Sequence, residues 1–208
     1  MAELTLTDVV LARPGLRPVS PAQHLAHVFA AAEVTGPRAV SLREVAFLTM
    51  VGLRAEPGSG ATERLTTTLG VRLPTRCGGV GSADGTSVLW LGPDEWLVVS
   101  DRDPAELTAS LVVTLHGEPG SVVDLSANRT TLELSGPSAR DALEKGCALD
   151  LHPRAFVVGS AYATALAGIP VVLWRAGEQT FRVLVRSSFA DHVGRWLADA
   201  LGEYASGT

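Results

Sequence analysis

The stretch TSVLWLGPDEWLVVSDRDPAELTASLVVTLHG, residues 86–117, decides the fold class of this 208-residue chain. Its first part places β-branched and apolar residues on both sides of a Pro-Asp turn, which predicts a β-hairpin. Asp103, Pro104 and Glu106 then supply a capping carboxylate, a proline in the first turn and a glutamate three residues after the cap, which predicts a helix. A hairpin followed directly by a helix is typical of α+β proteins.

The chain before this stretch shows similar elements. The Ser20 side chain is placed to cap a short alanine-rich helix that extends to about Ala32. The run EVAFLTMVGL at 44–53 predicts one strand, and residues 61–70 predict a helix that ends at a glycine. The glycine-rich run CGGVGSADG at 77–85 predicts a flexible loop.

The chain after this stretch repeats the order of elements. Strands are predicted at 121–127 and 129–135, then a helix, then three strands between 161 and 186. A final amphipathic helix carries an apolar stripe of Phe189, Val193, Trp196, Leu197, Ala200 and Leu201. We therefore predict an α+β chain of two packed βαββα-type halves, residues 20–118 and 119–204, after a loosely ordered lead-in at 1–19.

The composition excludes several classes of partner. Acidic residues outnumber basic ones by 22 to 17, and there is no basic block, so binding to nucleic acid or to an anionic membrane is not expected. No apolar run is long enough for a membrane span. Cys77 and Cys147 show no metal or disulfide spacing, which favours a cytoplasmic location. The charged fraction of 19% is below the usual ~25%, so the chain either buries its apolar groups efficiently or covers them with another chain, and the second option implies a partner.

The motifs that would carry chemistry are incomplete. The glycines around Val80 lead into a strand, whereas a dinucleotide site requires them before a helix. The sole lysine, Lys145, lies at a predicted helix end, which excludes a phosphate-binding P-loop. His24 and His27 share one helical face without further ligands, so an exposed face is favoured over a metal site. We expect no catalytic, cofactor-binding or metal site in this chain.

Two polar clusters have a structural and a chemical interpretation. One cluster contains Asp150, His152 and Arg154, which could support proton transfer. We favour a structural role instead, in which hydrogen bonds and ion pairs among these residues stabilise an irregular segment. Asp94 and Glu95 could form a carboxylate pair, but at adjacent turn positions they are expected to point apart.

Four segments together resemble the gamma subunit of heterotetrameric sarcosine oxidase. They are SLREVAFLTMVGLR (41–54), LWLGPDEWLVVS (89–100), VVDLSANRTTLELSGPSARDALEKGCALDLHPRAF (122–156) and FRVLVRSSFADHVGRWLADAL (181–201). The resemblance runs from about Ser20 to Leu201. It implies a fold like the folate-binding part of aminomethyltransferases and a non-catalytic subunit that supports assembly with alpha, beta and delta subunits.

The resemblance also implies the chemistry of the whole complex. Sarcosine would be demethylated oxidatively to glycine, with hydrogen peroxide and either formaldehyde or 5,10-methylenetetrahydrofolate as products. FAD, FMN, NAD and the tetrahydrofolate site would belong to the alpha and beta subunits, and zinc to the delta subunit. No cofactor is implied for the present chain.

A second hypothesis is a stand-alone folate-binding or aminomethyltransferase-like protein, because SGPSARDAL also resembles those enzymes. Asp124, Glu133 or Asp150 would then hold the pterin edge. Against this, the chain is short for a complete aminomethyltransferase, and Lys145-Gly146-Cys147 is interpreted as a helix end.

The residues that we expect to contact a partner come from two places. Trp90 and Trp96 lie on the predicted hairpin, although each tryptophan is more often a core residue than an interface residue. Asp150, His152 and Arg154 form the polar cluster. We predict that these five contribute to the contact with the alpha subunit.

Overall fold

The computed structural model describes residues 18–205, which fold into two five-stranded antiparallel sheets and five α-helices. The predicted lead-in at 1–19 lies almost wholly outside these residues. The helices are α1 (Ala26–Ala31), α2 (Gly60–Leu69), α3 (Pro104–Leu115), α4 (Ala139–Glu144) and α5 (Ala190–Ala205). Short 3₁₀ turns at Gln23–Leu25 and Ser187–Phe189 precede α1 and α5.

Each sheet takes its strands from separate parts of the chain. Sheet I has the order β3-β4-β5-β2-β6, and sheet II has the order β1-β7-β10-β9-β8. The strands of sheet I are β2 (Thr49–Ala55), β3 (Val80–Ala83), β4 (Thr86–Gly92), β5 (Glu95–Ser100) and β6 (Gly120–Asp124). Those of sheet II are β1 (Ser41–Val45), β7 (Arg129–Ser135), β8 (Ser160–Leu166), β9 (Ile169–Gly177) and β10 (Thr180–Arg186).

The two sheets pack face to face between two helical layers. Period-2 alternation sends Val88 and Val98 to a core shared with α2 and α3, and sends Leu89 and Leu97 to the layer between the sheets. In sheet II, Leu132 and its neighbours pack against α1, α4 and α5. The layer order is therefore helices, sheet I, sheet II, helices, and the α+β prediction is confirmed.

Two helix ends follow the predicted capping chemistry, and a third does not. The Asp103 carboxylate accepts hydrogen bonds from the amides of Ala105 and Glu106, and α3 starts at Pro104. Helix α2 ends at Gly70, whose φ of 69° is left-handed. The Ser20 prediction is wrong: its hydroxyl donates to Glu44 instead of capping a helix, because Glu44 lies beside it on β1.

The predicted strand at 44–53 is two strands. Strand β1 ends at Val45 in sheet II and β2 begins at Thr49 in sheet I, so the chain changes sheets between them. Phe47 makes the turn with φ of 61°. An apolar run alone does not indicate a change of sheet, because the sequence does not say with which strand each part of the run pairs.

The predicted flexible loop at 77–85 is ordered and contains β3. The Asp84-Gly85 turn joins β3 to β4 as a hairpin. Gly78 lies beneath the Tyr162 ring, where a Cβ would meet the ring at 2.4 Å, and its carbonyl accepts from the amide of Ala161. Gly78 therefore allows close packing against β8, and Gly79 and Gly81 allow close packing against the segment 71–76, so these glycines serve packing rather than flexibility.

Sheet membership does not follow the boundary predicted near residue 118. Strand β1 precedes that boundary but lies in sheet II, and β6 follows it but lies in sheet I. The division into 20–118 and 119–204 stays a prediction about domains, and the two parts of the chain exchange one strand each.

Candidate functional site

The polar cluster at 150–154 lies in the irregular segment between α4 and β8. The Asp150 carboxylate accepts from the amide of His152 at 2.9 Å, and the His152 Nδ1 accepts from the amide of Arg154 at 3.3 Å. All three side chains are exposed. The cluster is thus organised by local contacts with the backbone, as expected for the structural interpretation.

The two tryptophans of the hairpin have different surroundings. Trp96 is 2% exposed in the core beneath α2 and α3, and its indole N–H donates to the carbonyl of Pro74 at 2.7 Å. Trp90 is its cross-strand partner on β4 and is half-buried. Of the two, only Trp90 offers substantial surface to a partner.

A cleft of about 470 Å³ opens beside Trp96. Its walls come from the start of α2, the segment 72–75 and the hairpin turn at Pro93. Glu63 and Arg72 are the charged side chains that line it.

The hairpin turn carries a three-residue ion cluster. Arg54 on β2 pairs with the carboxylate of Glu95 at 2.6 Å and lies 3.8 Å from that of Asp94. The two carboxylates therefore share one guanidinium, and the prediction that they point apart is wrong. The cross-strand register of Arg54 with Glu95 explains this.

The most buried carboxylate of the inter-sheet face is Glu133, on β7 at 5% exposure. Strand register places Arg43 and Arg182 directly opposite it on its two sides. The Nε atoms of these arginines donate to its two oxygens at 3.0 and 2.8 Å. Burial raises the pKa of Glu133, but hydrogen bonds from Arg182 and Arg43 outweigh that effect, and the net pKa is lowered.

The three carboxylates proposed for a pterin already have partners. Glu133 pairs with two arginines, and Asp150 accepts from His152. The Asp124 carboxylate accepts from the amide and the hydroxyl of Ser126 at 2.8 and 2.6 Å. These residues lie in different regions of the fold, so the structure does not bring them together in one folate-binding site.

His24 and Lys145 also have contacts within the chain. His24 contacts the Asp191 carboxylate at 2.6 Å, and hydrogen bonds from His24 and Arg195 lower the pKa of Asp191. Lys145 donates to the carbonyl of Ala200 and pairs with Glu203, which ties the end of α4 to α5. Within residues 18–205 no three His, Cys, Asp or Glu side chains converge as metal ligands.

The cysteines of the described chain are both free thiols. Cys77 is exposed and Cys147 is half-buried. Burial raises the pKa of the Cys147 thiol above its usual value. Between residues 18 and 205, no helix is both long and apolar enough to span a membrane.

Sequence reasoning named Glu133 but missed its two arginine partners. The available signal was a charged residue between apolar neighbours in two predicted strands, Glu133 in TTLELS and Arg182 in FRVLVR. Such residues face the same side when the strands pair, but the sequence does not say which strands pair.

The layered arrangement of sheets and helices defines an α+β protein with an aminomethyltransferase-like fold. The structure superimposes with a TM-score of 0.60 on glycine cleavage system aminomethyltransferase T from Bartonella henselae, over 87% of this chain and 52% of that one. At 15% identity this likeness shows the fold alone. It confirms the fold that the sequence resemblance implied.

The chain belongs to the sarcosine oxidase, gamma subunit family, whose model matches residues 52–203. It is 54% identical to the sarcosine oxidase subunit gamma of Corynebacterium sp. (strain U-96) over 188 residues, which are 90% of this chain and 91% of that one. The corresponding subunit from Arthrobacter sp. is 54% identical over 190 residues, 91% and 92% of the two chains.

A solved structure agrees with this assignment. Heterotetrameric sarcosine oxidase from Corynebacterium sp. U-96, in complex with pyrrole 2-carboxylate, contains a chain that is 52% identical. The TM-score is 0.88 over 92% of this chain and 98% of that chain. The family resemblance stated from the sequence is confirmed.

Proposed function

We propose that this chain works as the non-catalytic gamma subunit of a heterotetrameric sarcosine oxidase, to which it supplies a surface for assembly. The observation that carries the proposal is the match to a chain of such a heterotetramer over almost the full length of both chains. The geometry is consistent with it, because the candidate acids and bases are engaged in contacts within the chain.

The proposal includes the composition of the assembly. The partners are alpha, beta and delta subunits, with FAD, FMN, NAD and the tetrahydrofolate site on the first two and zinc on the third. The complex would convert sarcosine to glycine and produce hydrogen peroxide with formaldehyde or 5,10-methylenetetrahydrofolate. We place it in the cytoplasm, since its two cysteines are free and far apart in sequence.

Trp90, Asp150, His152 and Arg154 stay candidates for the contact with the alpha subunit. The last three are exposed, and Trp90 is half-buried. Trp96 would act indirectly, because its ring packs under α2 and its N–H holds the segment around Pro74. Alanine variants of the first four should weaken co-purification with the alpha subunit, and unchanged assembly in all of them would remove this surface from the contact.

Expression of the full-length chain alone and together with the other three subunits tests the function. Alone, the purified chain should show no flavin absorbance and no sarcosine-dependent production of hydrogen peroxide. Co-expressed, a tagged chain should recover the other subunits together with both signals. A flavin bound to the isolated chain, or turnover by it, would contradict the proposal.

Titration with tetrahydrofolate separates the proposal from the stand-alone folate-binding hypothesis. A pterin at Glu133 would have to displace two arginines from a buried carboxylate, and leaving those charges unpaired is costly. We therefore expect no saturable binding by calorimetry in the micromolar range. Saturable binding that Glu133→Gln abolishes would favour the alternative function.

A further inference from the structure

The two places where the chain changes sheets lie side by side. Residues 46–48 lead from β1 to β2, and residues 125–128 lead from β6 to β7. The amide of Leu125 donates to the carbonyl of Met50 at 2.7 Å, and the amide of Ser187 donates to the carbonyl of Asn128 at 2.9 Å. The ends of β1 and β10 and the starts of β2 and β7 therefore meet at one edge of the molecule.

Phe47 has an unfavourable position in the isolated chain. Its φ of 61° is a conformation that costs little for glycine and is rare for an aromatic residue. Its side chain is 64% exposed. The other two non-glycine residues with positive φ, Asp84 and Ala167, make two-residue turns between adjacent strands, so turn formation alone accounts for them.

Two arginines face each other at this edge. Arg129 on β7 and Arg186 on β10 are direct cross-strand partners, an arrangement in which like charges repel. Neither guanidinium has a hydrogen bond or ion pair with another residue in the range 18–205. Burial and the Arg186 charge lower the pKa of Arg129, and the Glu95 carboxylate, which is paired with Arg54, opposes this only in part.

A second exposed aromatic residue lies nearby. Phe189 is 38% exposed, although the amphipathic pattern predicts it on the buried stripe of the last helix. It belongs instead to the 3₁₀ turn that begins at Ser187, beside the 125–128 crossover. In the described part of the chain, Phe47 and Phe189 are the aromatic members of the exposed large apolar set.

We propose that Phe47, Arg129, Arg186 and Phe189, which we call the crossover patch, form a docking surface for an acidic protein segment of a partner subunit. The inference rests on the proposed function, since it requires a partner. The two phenyl rings would pack against apolar side chains of that segment, and its carboxylates would pair with the two guanidinium groups. Aromatic and arginine side chains are the residue types enriched at the centres of protein interfaces.

The positive charges of Arg129 and Arg186 favour an acidic partner segment over a basic one. The chain has a net charge of -5, so a cationic patch stands out on it and would repel a basic partner. A carboxylate between Arg129 and Arg186 would remove their mutual repulsion. In the free chain the two phenyl rings are exposed and the two arginines face each other, whereas in the complex the rings would be buried and the guanidinium groups paired.

The proposal predicts that substitutions in the crossover patch weaken binding to the other subunits without lowering the stability of the isolated chain. Phe47→Gly relieves the backbone strain, and Arg186→Gln relieves the repulsion of Arg129. In the isolated full-length chain both variants should therefore unfold at the same urea concentration as the native chain or a higher one. In titrations against the complex of the other three subunits, each should bind at least about tenfold more weakly.

Two control variants match these changes away from the patch. Ala167→Gly relieves a comparable backbone conformation in the β8–β9 turn, and Val113→Ser removes an exposed apolar side chain on α3. Both should bind like the native chain. Affinity of the native chain should also fall as NaCl concentration rises, and this dependence should be weaker for Arg186→Gln.

The outcomes separate the inference from the proposed function. Assembly of the native chain with unchanged affinity of both patch variants would overturn the docking surface and leave the function intact. Failure of the native chain to assemble would overturn both. Weaker binding with lower stability in the isolated chain would also contradict the inference, because the patch residues would then be structural.

Discussion

The layer between the two sheets has an apolar end and an ionic end. At the apolar end, Leu89, Leu97 and Val99 of sheet I meet Val172 and Trp174 of sheet II. At the ionic end, Arg43, Glu133 and Arg182 form a row across the first three strands of sheet II.

The two ends show that one face of a sheet can both pack against a second sheet and hold a charge cluster that is satisfied within its own sheet. Apolar burial holds the two sheets together without regard to direction. The buried carboxylate is satisfied entirely by arginines of its own sheet, so the ionic end requires nothing from sheet I. The unpaired arginines of the crossover patch, Arg129 and Arg186, lie on this same face of sheet II.

The largest expected effect is at the apolar end. Leu97→Ala removes a fully buried side chain between the sheets and should lower the free energy of unfolding by about 3 kcal/mol. Urea denaturation followed by tryptophan fluorescence measures this. Val113→Ala, at an exposed position on α3, should change it by less than about 0.5 kcal/mol.

If Leu97→Ala loses less than about 1 kcal/mol, the apolar end does not hold the sheets together.

The second effect is at the ionic end and depends on pH. Glu133→Gln keeps the shape but removes the charge, and should cost about 2 kcal/mol at pH 7. The folded pKa of Glu133 is lowered, so its stabilisation is fully present above the unfolded value, near ~4.3, and is lost as the pH falls through the folded pKa. The difference between native chain and variant should therefore shrink as the pH is lowered below ~4.

Urea midpoints of both proteins across this pH range provide the measurement. A difference that stays constant down to the lowest pH would show that Glu133 contributes through its shape rather than its charge.

The smallest effect distinguishes the two arginines of the row. The Arg182 side chain is 28% exposed and its guanidinium lies 5.0 Å from the centre of the Trp174 ring, so Arg182→Gln should cost about 1 kcal/mol. Arg43 is mostly exposed, and Arg43→Gln should cost about 0.5 kcal/mol, with less effect at high salt. Equal costs would indicate that the ring contact of Arg182 adds nothing to stability.

The local structure of the helices could be predicted because their signals are short-range. Asp103 caps α3 through its own neighbours, and Leu107, Leu111 and Leu115 form its buried face as their spacing predicts. The same holds for the end of α2 at Gly70.

The positions that escaped prediction depend on contacts between distant residues. Phe47 lies within an apolar run whose pattern is the same whether the chain stays in one sheet or changes sheets. The sequence around Gly78 does not indicate that the Tyr162 ring lies against this residue. The arginine partners of Glu133 can likewise be identified only once the register of β1, β7 and β10 is known.

The candidate contact residues show the same limit. The polar cluster is exposed, as its composition suggests, at Asp150, His152 and Arg154. In the cross-strand tryptophan pair, Trp96 is buried and Trp90 is half-buried. Period-2 alternation gives Trp90 and Trp96 the same side of sheet I, but the depth of each ring depends on the loop that covers it.

The exchange of β1 and β6 between the two sheets has a consequence for folding. A fragment that ends near residue 118 would contain the other strands of sheet I without β6, and the remaining fragment would contain sheet II without β1. Each piece would then expose an unpaired strand edge that only its counterpart completes. The intact chain should lose both sheets in one cooperative transition, and the two pieces, mixed after separate synthesis, should reconstitute the native molecule by complementation.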